Sequence, residues 1–294
     1  MRRVLAAPAV VLLGLLASAA ANANPQPWQL NMTRGATQTA REVHDIHMVV
    51  LWICVAIGVV VFGVMFVAMF RFRKSKGAVP ATWSHSTKLE AVWTIIPILI
   101  LIGSAWPATT LLIRMADTSE SEMTIKVTGY QWKWRYEYVD YFGKQPGINF
   151  VSSLESQANR TRQLGSGMDP RDIKVDGQST YLLDVDKPLV VPVGVKVRFV
   201  VTADDVIHSW WVPALGWKQD AIPGIINSAW TRVDEPGVYR GQCAELCGRD
   251  HAFMPIVVKA LPKAEFEQWM TAQAPAPAPA ATATTLAPTT APQG

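Results

Sequence analysis

The residues able to do chemistry crowd into one stretch, Gly241-Gln-Cys-Ala-Glu-Leu-Cys-Gly-Arg-Asp-His-Ala-Phe-Met-Pro255. Cys243, Cys247, His251 and Met254 fall within twelve residues of it, and His208 stands upstream in Val206-Ile-His-Ser-Trp-Trp. Two thiolates, two imidazoles and a thioether make a soft nitrogen and sulfur donor set. Thiolate and thioether favour copper, and a His₂Cys set with a weak axial methionine is the blue-copper pattern. This stretch carries one cysteine more than a single such copper needs. The economical use of the second sulfur is a bridge, so that two thiolates hold two coppers with one histidine on each. Met254 then serves as a weak ligand to one metal, and the main-chain carbonyl of Glu245 to the other.

Simpler readings compete. Two cysteines four apart in an exported domain also suit a disulfide, because the compartment outside the cytoplasm is oxidising. Zinc takes two cysteines and two histidines, but this spacing is not a finger pattern and Met254 would be idle. A lone His208 reads as a satisfied core residue. The conjunction favours copper, since a disulfide explains neither His251 nor Met254.

The segments His208-Ser-Trp-Trp-Val-Pro, Asp220-Ala-Ile-Pro-Gly, Gly241-Gln-Cys-Ala-Glu-Leu-Cys-Gly and His251-Ala-Phe-Met-Pro resemble subunit II of the haem-copper cytochrome c oxidases. The resemblance runs from about Trp28 to Met270. It implies a cupredoxin Greek-key sandwich and a binuclear copper A centre. The implied copper ligands are His208, Cys243, Glu245 through its main-chain oxygen, Cys247, His251 and Met254. It also implies a magnesium ion bound by the Glu245 carboxylate at the contact with the catalytic, haem-bearing subunit I. Trp132 matches the family's exposed tryptophan where electrons arrive from cytochrome c. Glu90 matches a carboxylate near the mouth of a proton-uptake channel, although an acid in a first helical turn is also favoured by the helix dipole.

The elements that must position these residues can be read along the chain. Residues 1–23 form an export signal: Arg2 and Arg3, an apolar core, then Ala21-Asn-Ala23 as a cleavage site. Residues 24–116 hold two apolar runs, about 46–70 and 89–113, each long enough to cross ~30 Å of hydrocarbon. The basic loop Arg71-Phe-Arg-Lys-Ser-Lys76 between them puts the hairpin's bend in the cytoplasm. Both ends therefore face the exported side, which for a bacterium places the chain in the inner membrane. Pro97 and Pro107 within the second run hint at packing on a larger membrane protein. Cys54 reads as a small buried hydrophobe in the first span. Thr87-Lys-Leu-Glu90 reads as a capping box with Thr87 as the cap.

Residues 117–270 read as an all-β domain. The run Thr124–Tyr138 alternates and is expected as one strand, which sends Trp132 and Trp134 to the same face. Further strands are expected at 181–185, 189–191, 195–201, 228–233, 237–242 and 254–260, and a helix at 263–270. Residues 152–179 are a polar excursion without an evident job. Residues 271–294 are an Ala/Pro/Thr-rich tail expected to be extended and unpacked.

The formal net charge is +4, yet acids slightly outnumber bases between Asp117 and Met270. Basicity thus sits in the signal and the cytoplasmic loop, and no nucleic-acid surface is indicated. Asp204, Asp205 and Asp220 near the metal loops suit docking of a basic cytochrome c. The expected role is to accept electrons from that cytochrome and pass them to haem in subunit I, where oxygen is reduced. Membership of an enzyme comes through that complex, and this chain carries no site for the oxygen chemistry. The alternatives are a copper A domain of another reductase, such as one reducing nitrous oxide, and a copper delivery or storage module.

Overall fold

The structure, a computed structural model, describes residues 21–23, 28–33, 35–162 and 180–274. Most of the expected export signal, the excursion from residue 163 to 179 and the tail beyond residue 274 lie outside the described residues. Ala21–Ala23, at the expected cleavage site, forms a short strand β1 parallel to the start of β10, Gly237–Cys243. β10 also pairs with antiparallel neighbours β11 and β7, so its place in the sheet does not depend on that short strand.

Two long helices, α1 (Gln38–Arg71) and α2 (Thr87–Ala116), match the two apolar runs. Burial within the chain reaches 0% of the most apolar window of α1 and 6% of that of α2. Faces this apolar need lipid or another protein around them. Cys54 is accordingly exposed on α1, not buried as its apolar neighbourhood suggested. The start of α2 also differs from the expected capping box. Ser86, not Thr87, is the N-cap, and its side chain makes no cap bond. Glu90 does reach back, its Oε1 accepting the Ser86 N–H at 3.2 Å. Only the carboxylate half of the box forms.

The membrane hairpin is stitched to the rest of the chain at the beginning of α1. The Thr37 hydroxyl accepts from Ala40 N–H and donates to the Leu215 carbonyl, both at 3.0 Å. Arg41 pairs with Asp234, and Arg114 of α2 pairs with Glu42 at 3.1 Å. Gly216 has φ +85°, and a Cβ there would stand 2.6 Å from the Ala40 backbone nitrogen. Helix and sandwich approach too closely at that point for any side chain.

The remaining strands are β2 (Met123–Tyr130), β3 (Lys133–Tyr141), β4 (Asn149–Ser152), β5 (Leu189–Pro192), β6 (Val197–Ala203), β7 (His208–Val212), β8 (Trp217–Ala221), β9 (Asn227–Thr231) and β11 (Pro255–Leu261). They form two packed sheets, ordered β5-β11-β10-β7-β8 and β4-β3-β2-β6-β9, with β1 beside β10. Alternating inward residues fill the space between them: Ile125, Val127, Phe199, Val201, Tyr239 and Ile256 are all fully enclosed. Trp210 stacks between Phe199 and Trp217, with ring centroids 5.2 and 5.0 Å away. Helix α4 (Lys263–Gln273) closes one edge by burying Phe266.

The sequence reading departs from this sandwich in several places, and β4, β7 and β8 form where no strand was expected. The run expected as one strand is a hairpin, β2 and β3 joined by Gln131-Trp132, with Gly129 opposite Trp134. Trp132 therefore sits on a turn, and strand alternation does not tie it to the face of Trp134. Residues 181–185 form a turn and an isolated bridge between Val185 and Leu154, not a strand. The excursion begins with a short helix, α3 (Ser156–Thr161), whose N-cap Glu155 accepts from Gln157 and Ala158 N–H at 2.8 Å each.

Candidate metal centre

The soft donors converge at one end of the sandwich. His208 is the first residue of β7 and Cys243 the last of β10, and these strands pair with Cys243 opposite Trp210. Sheet register thus brings a histidine and a cysteine thirty-five positions apart to one corner. The loop after β10 then turns back to present Cys247, and a single 3₁₀ turn, His251–Phe253, carries the second histidine to Met254 at the head of β11.

Cys243 Sγ and Cys247 Sγ stand 3.9 Å apart and both thiols are free. A disulfide needs ~2.05 Å, so the two sulfurs are separate donors facing a common space. Cys243 Sγ lies 3.9 Å from His208 Nδ1 and 3.4 Å from the Glu245 main-chain oxygen. Cys247 Sγ lies 3.5 Å from His251 Nδ1 and 3.5 Å from Met254 Sδ. The ligand atoms of His208, Cys243 and Cys247 lie within 4.8 Å of one another, a trio that leaves His251 on its own beside Cys247. Each sulfur thus has a nitrogen of its own.

The electrostatics of this corner ask for a cation. Burial opposes ionisation of Cys243, but hydrogen bonding to His208 and to the loop backbone outweighs it and draws the thiol down to about 7. Cys247 goes the other way, pushed up to about 12 by burial and by the charge of Cys243. Two adjacent buried thiolates repel, and without a positive charge one must hold its proton. A thiolate-binding metal removes that conflict.

A second layer holds the ligands. His208 is fully buried, and its Nε2–H donates to Asp205 Oδ1 at 2.9 Å, which leaves Nδ1 turned toward Cys243. The same carboxylate accepts from Gln131 N–H at 2.7 Å and Val206 N–H at 2.6 Å. Burial resists the charge on Asp205, yet these donors keep its carboxyl below the usual range. Gly129 permits the arrangement: a Cβ there would sit 2.8 Å from His208 Cδ2. Gln131 Nε2 and Trp132 Nε1 both donate to the Cys247 carbonyl, at 2.9 and 3.3 Å. The half-buried Trp132 ring thereby lies against the metal loop, while Trp134 is enclosed and meets the His208 ring edge-on at 5.8 Å.

The other expected site residues fall as follows. Asp205 is committed inward to His208, and Asp220 accepts from the Ser209 hydroxyl at 2.7 Å. Asp204 is exposed and bonded to Tyr130. The Glu245 side chain is exposed while its carbonyl faces Cys243. Glu90 is far from this corner, in the first turn of α2. Sequence reading missed Gln131 and Gly129 altogether, and took Asp205 for a docking charge; its spacing of three before a candidate ligand was the available signal.

Residues 123–261 match the family model of the Cytochrome C oxidase subunit II periplasmic domain, and residues 25–111 match that of the transmembrane domain. The probable cytochrome c oxidase subunit 2 of Rickettsia felis is 41% identical over 249 residues, spanning 85% of this chain and 73% of its own. The chain belongs to the cytochrome c oxidase subunit II family. Its counterpart in Rickettsia bellii is 39% identical over 266 residues, spanning 90% of this chain and 92% of its own. The crystal structure of the periplasmic domain of subunit II of cytochrome oxidase from Bradyrhizobium japonicum is 38% identical, covers 53% of this chain and 96% of its own, and has a TM-score of 0.43.

As a subunit II, the chain is the electron-accepting part of an oxygen-reducing oxidase, a two-helix membrane hairpin carrying a cupredoxin-like sandwich. The family implies a copper A centre, and the His208, Cys243 and Cys247 cluster fits soft-metal binding. Family membership also implies assembly with the other oxidase subunits in a membrane, which accounts for the exposed apolar helix faces.

Proposed function

We propose that His208, Cys243, the Glu245 main-chain oxygen, Cys247, His251 and Met254 hold two copper ions, and that Trp132 is where electrons arrive from a cytochrome c. The observation that carries this reading is the pair of free sulfurs 3.9 Å apart, each with a histidine nitrogen of its own. Copper held by these residues would supply a one-electron carrier. The chain's own contribution is rigidity. Asp205 fixes the His208 ring, the sheet fixes Cys243, and the Gln131 and Trp132 donors fix the Cys247 backbone, so little movement accompanies a change of charge.

Trp132 suits the receiving role because its ring is half-buried rather than enclosed, with the Arg249 guanidinium 5.7 Å from its centroid, and its N–H touches the Cys247 carbonyl. Of the three acids near the site, Asp204 is exposed and bonded to the Tyr130 hydroxyl, which suits it to steer a basic donor, while Asp205 and Asp220 hold His208 and Ser209. The Glu245 carboxylate, free of the copper, would take a magnesium ion shared with subunit I, as hard oxygen donors do. Glu90, at the opposite end of α2, would stand at the cytoplasmic mouth of a proton path. The same reading has residues 1–23 removed on export, a membrane segment over 24–116, a copper domain over 117–270 and a tail over 271–294, in a bacterial inner membrane.

The test is copper stoichiometry in the full-length chain. Two coppers per chain with a mixed-valence spectrum are expected, lost on Cys243→Ser or Cys247→Ser. One copper with an ordinary blue spectrum, or a Cys243–Cys247 disulfide on mass mapping, would overturn the bridged centre.

A further inference from the structure

The polar excursion after β4 reaches the metal loop through the side chain of Arg162. Arg162, at the end of α3, donates from a terminal guanidinium nitrogen to Asp250 Oδ2 at 3.2 Å. Its guanidinium carbon also lies over the Phe253 ring, 4.1 Å from the centroid. Asn159 Oδ1 accepts from Arg162 Nε at 2.9 Å and so sets the fork's direction. The arginine side chain is 18% exposed and Asp250 17%, so this contact is largely withdrawn from water.

Asp250 and Phe253 bracket the 3₁₀ turn that presents His251 and leads into Met254. That turn is short and lightly tied: the Asp250 side chain makes no cap bond to it, and its backbone is held by Phe253 N–H to the Asp250 carbonyl at 2.9 Å and His251 N–H to the Gly248 carbonyl at 3.2 Å. One guanidinium therefore grips both ends of the turn, by charge at one and by its face on an aromatic ring at the other. No residue of either sheet does this. On the other side of the site Asp205 holds His208 directly, and Arg162 is the counterpart for His251, acting through its neighbours.

We infer that Arg162 is a positioning residue for the metal centre, delivered to it by α3. This rests on the proposed copper ligands. The test uses the full-length chain loaded with copper. Arg162→Met keeps the length and removes the charge, Arg162→Lys keeps the charge and loses the planar fork, and Asp250→Asn removes the carboxylate charge that the guanidinium pairs with.

Outer-shell partners of metal ligands are worth roughly 10–100-fold in metal affinity. Arg162→Met should therefore release copper to a chelator at least about tenfold faster, with an altered copper spectrum and reduction potential and unchanged circular dichroism. Arg162→Lys should recover part of the loss. Faster amide exchange at residues 251–253 of the metal-free variant is expected as well. If Arg162→Met fails to fold, Asp250→Asn must show the same copper release. Variants matching the parent in release rate, spectrum and potential would overturn the inference. A parent chain that takes up no second copper would instead overturn the reading on which it rests.

Discussion

Replacing Trp132 by glutamine separates a packing role from an electron-receiving role. Trp132 gives one hydrogen bond, to the Cys247 carbonyl at 3.3 Å, and that carbonyl keeps a second and shorter one from Gln131 at 2.9 Å. Nothing buried is left unsatisfied, so the bond's loss costs about 0.5–1.5 kcal/mol. The ring is half-buried. A tryptophan buries ~200 Å² when enclosed. Half of that at ~25 cal/mol/Å² is about 2.5 kcal/mol, part of which the glutamine methylenes retain. A total of about 2–3 kcal/mol falls below the ~3–5 kcal/mol of an enclosed tryptophan truncated to alanine. Trp134→Ala, at 0% exposure, is the matching control for that larger loss.

The assay is flash-induced electron injection from a photoactive cytochrome c into the assembled oxidase carrying Trp132→Gln. Copper content, copper spectrum and the copper-to-haem step should persist. Injection should collapse, because losing an interface tryptophan of this kind removes at least ~2 kcal/mol of docking, more than tenfold on affinity alone. An unchanged injection rate would refute the receiving role. Loss of copper together with misfolding would show that Trp132 belongs to the packing after all.

Gly129→Ala should disturb His208 without disturbing the sheet, since the new Cβ meets the imidazole at 2.8 Å while the strand backbone is ordinary. Faster copper release with unchanged circular dichroism is expected, and an unaffected copper spectrum would count against the close approach. Asp205→Asn should remove an acid limb from the stability of the metal-free chain. The folded carboxyl lies below the unfolded value of 3.8, so its contribution is complete above that pH and is lost as pH falls through the lowered folded value. Acid titrations that superimpose for parent and variant would refute this. Glu245→Ala should keep both coppers, because the ligand there is a main-chain oxygen, and lower the magnesium content of the whole complex. Unchanged magnesium would remove the carboxylate from that role.

Much of this protein could be read from residue order alone. The two membrane helices follow from uninterrupted apolar runs, because hydrocarbon demands a length and a composition that any reading frame of the sequence reveals. The donor set from Cys243 to Met254 is contiguous, so its chemistry shows in the types and spacing of neighbours. The late strands, β9 to β11, lie between evident Pro and Gly turns and appear close to where alternation puts them.

What only the tertiary structure decided concerns direction and distance. The turn between β2 and β3 is Gln131-Trp132, which lacks the Asn-Gly or Gly-X chemistry that announces a hairpin; one strand was the natural reading, and Trp132 was assigned a face by an alternation that the turn interrupts. Asp205 looked like a surface charge until sheet packing turned it onto His208. Ser86 displaced Thr87 as cap because the helix begins one residue earlier than the spacing implied. Arg162 had no visible purpose, since the segment carrying it meets Asp250 only after the sheets have assembled. Local patterns report what a residue prefers. Which groups come within 3 Å is set by strand register and packing across many residues, and that information is spread through the whole chain.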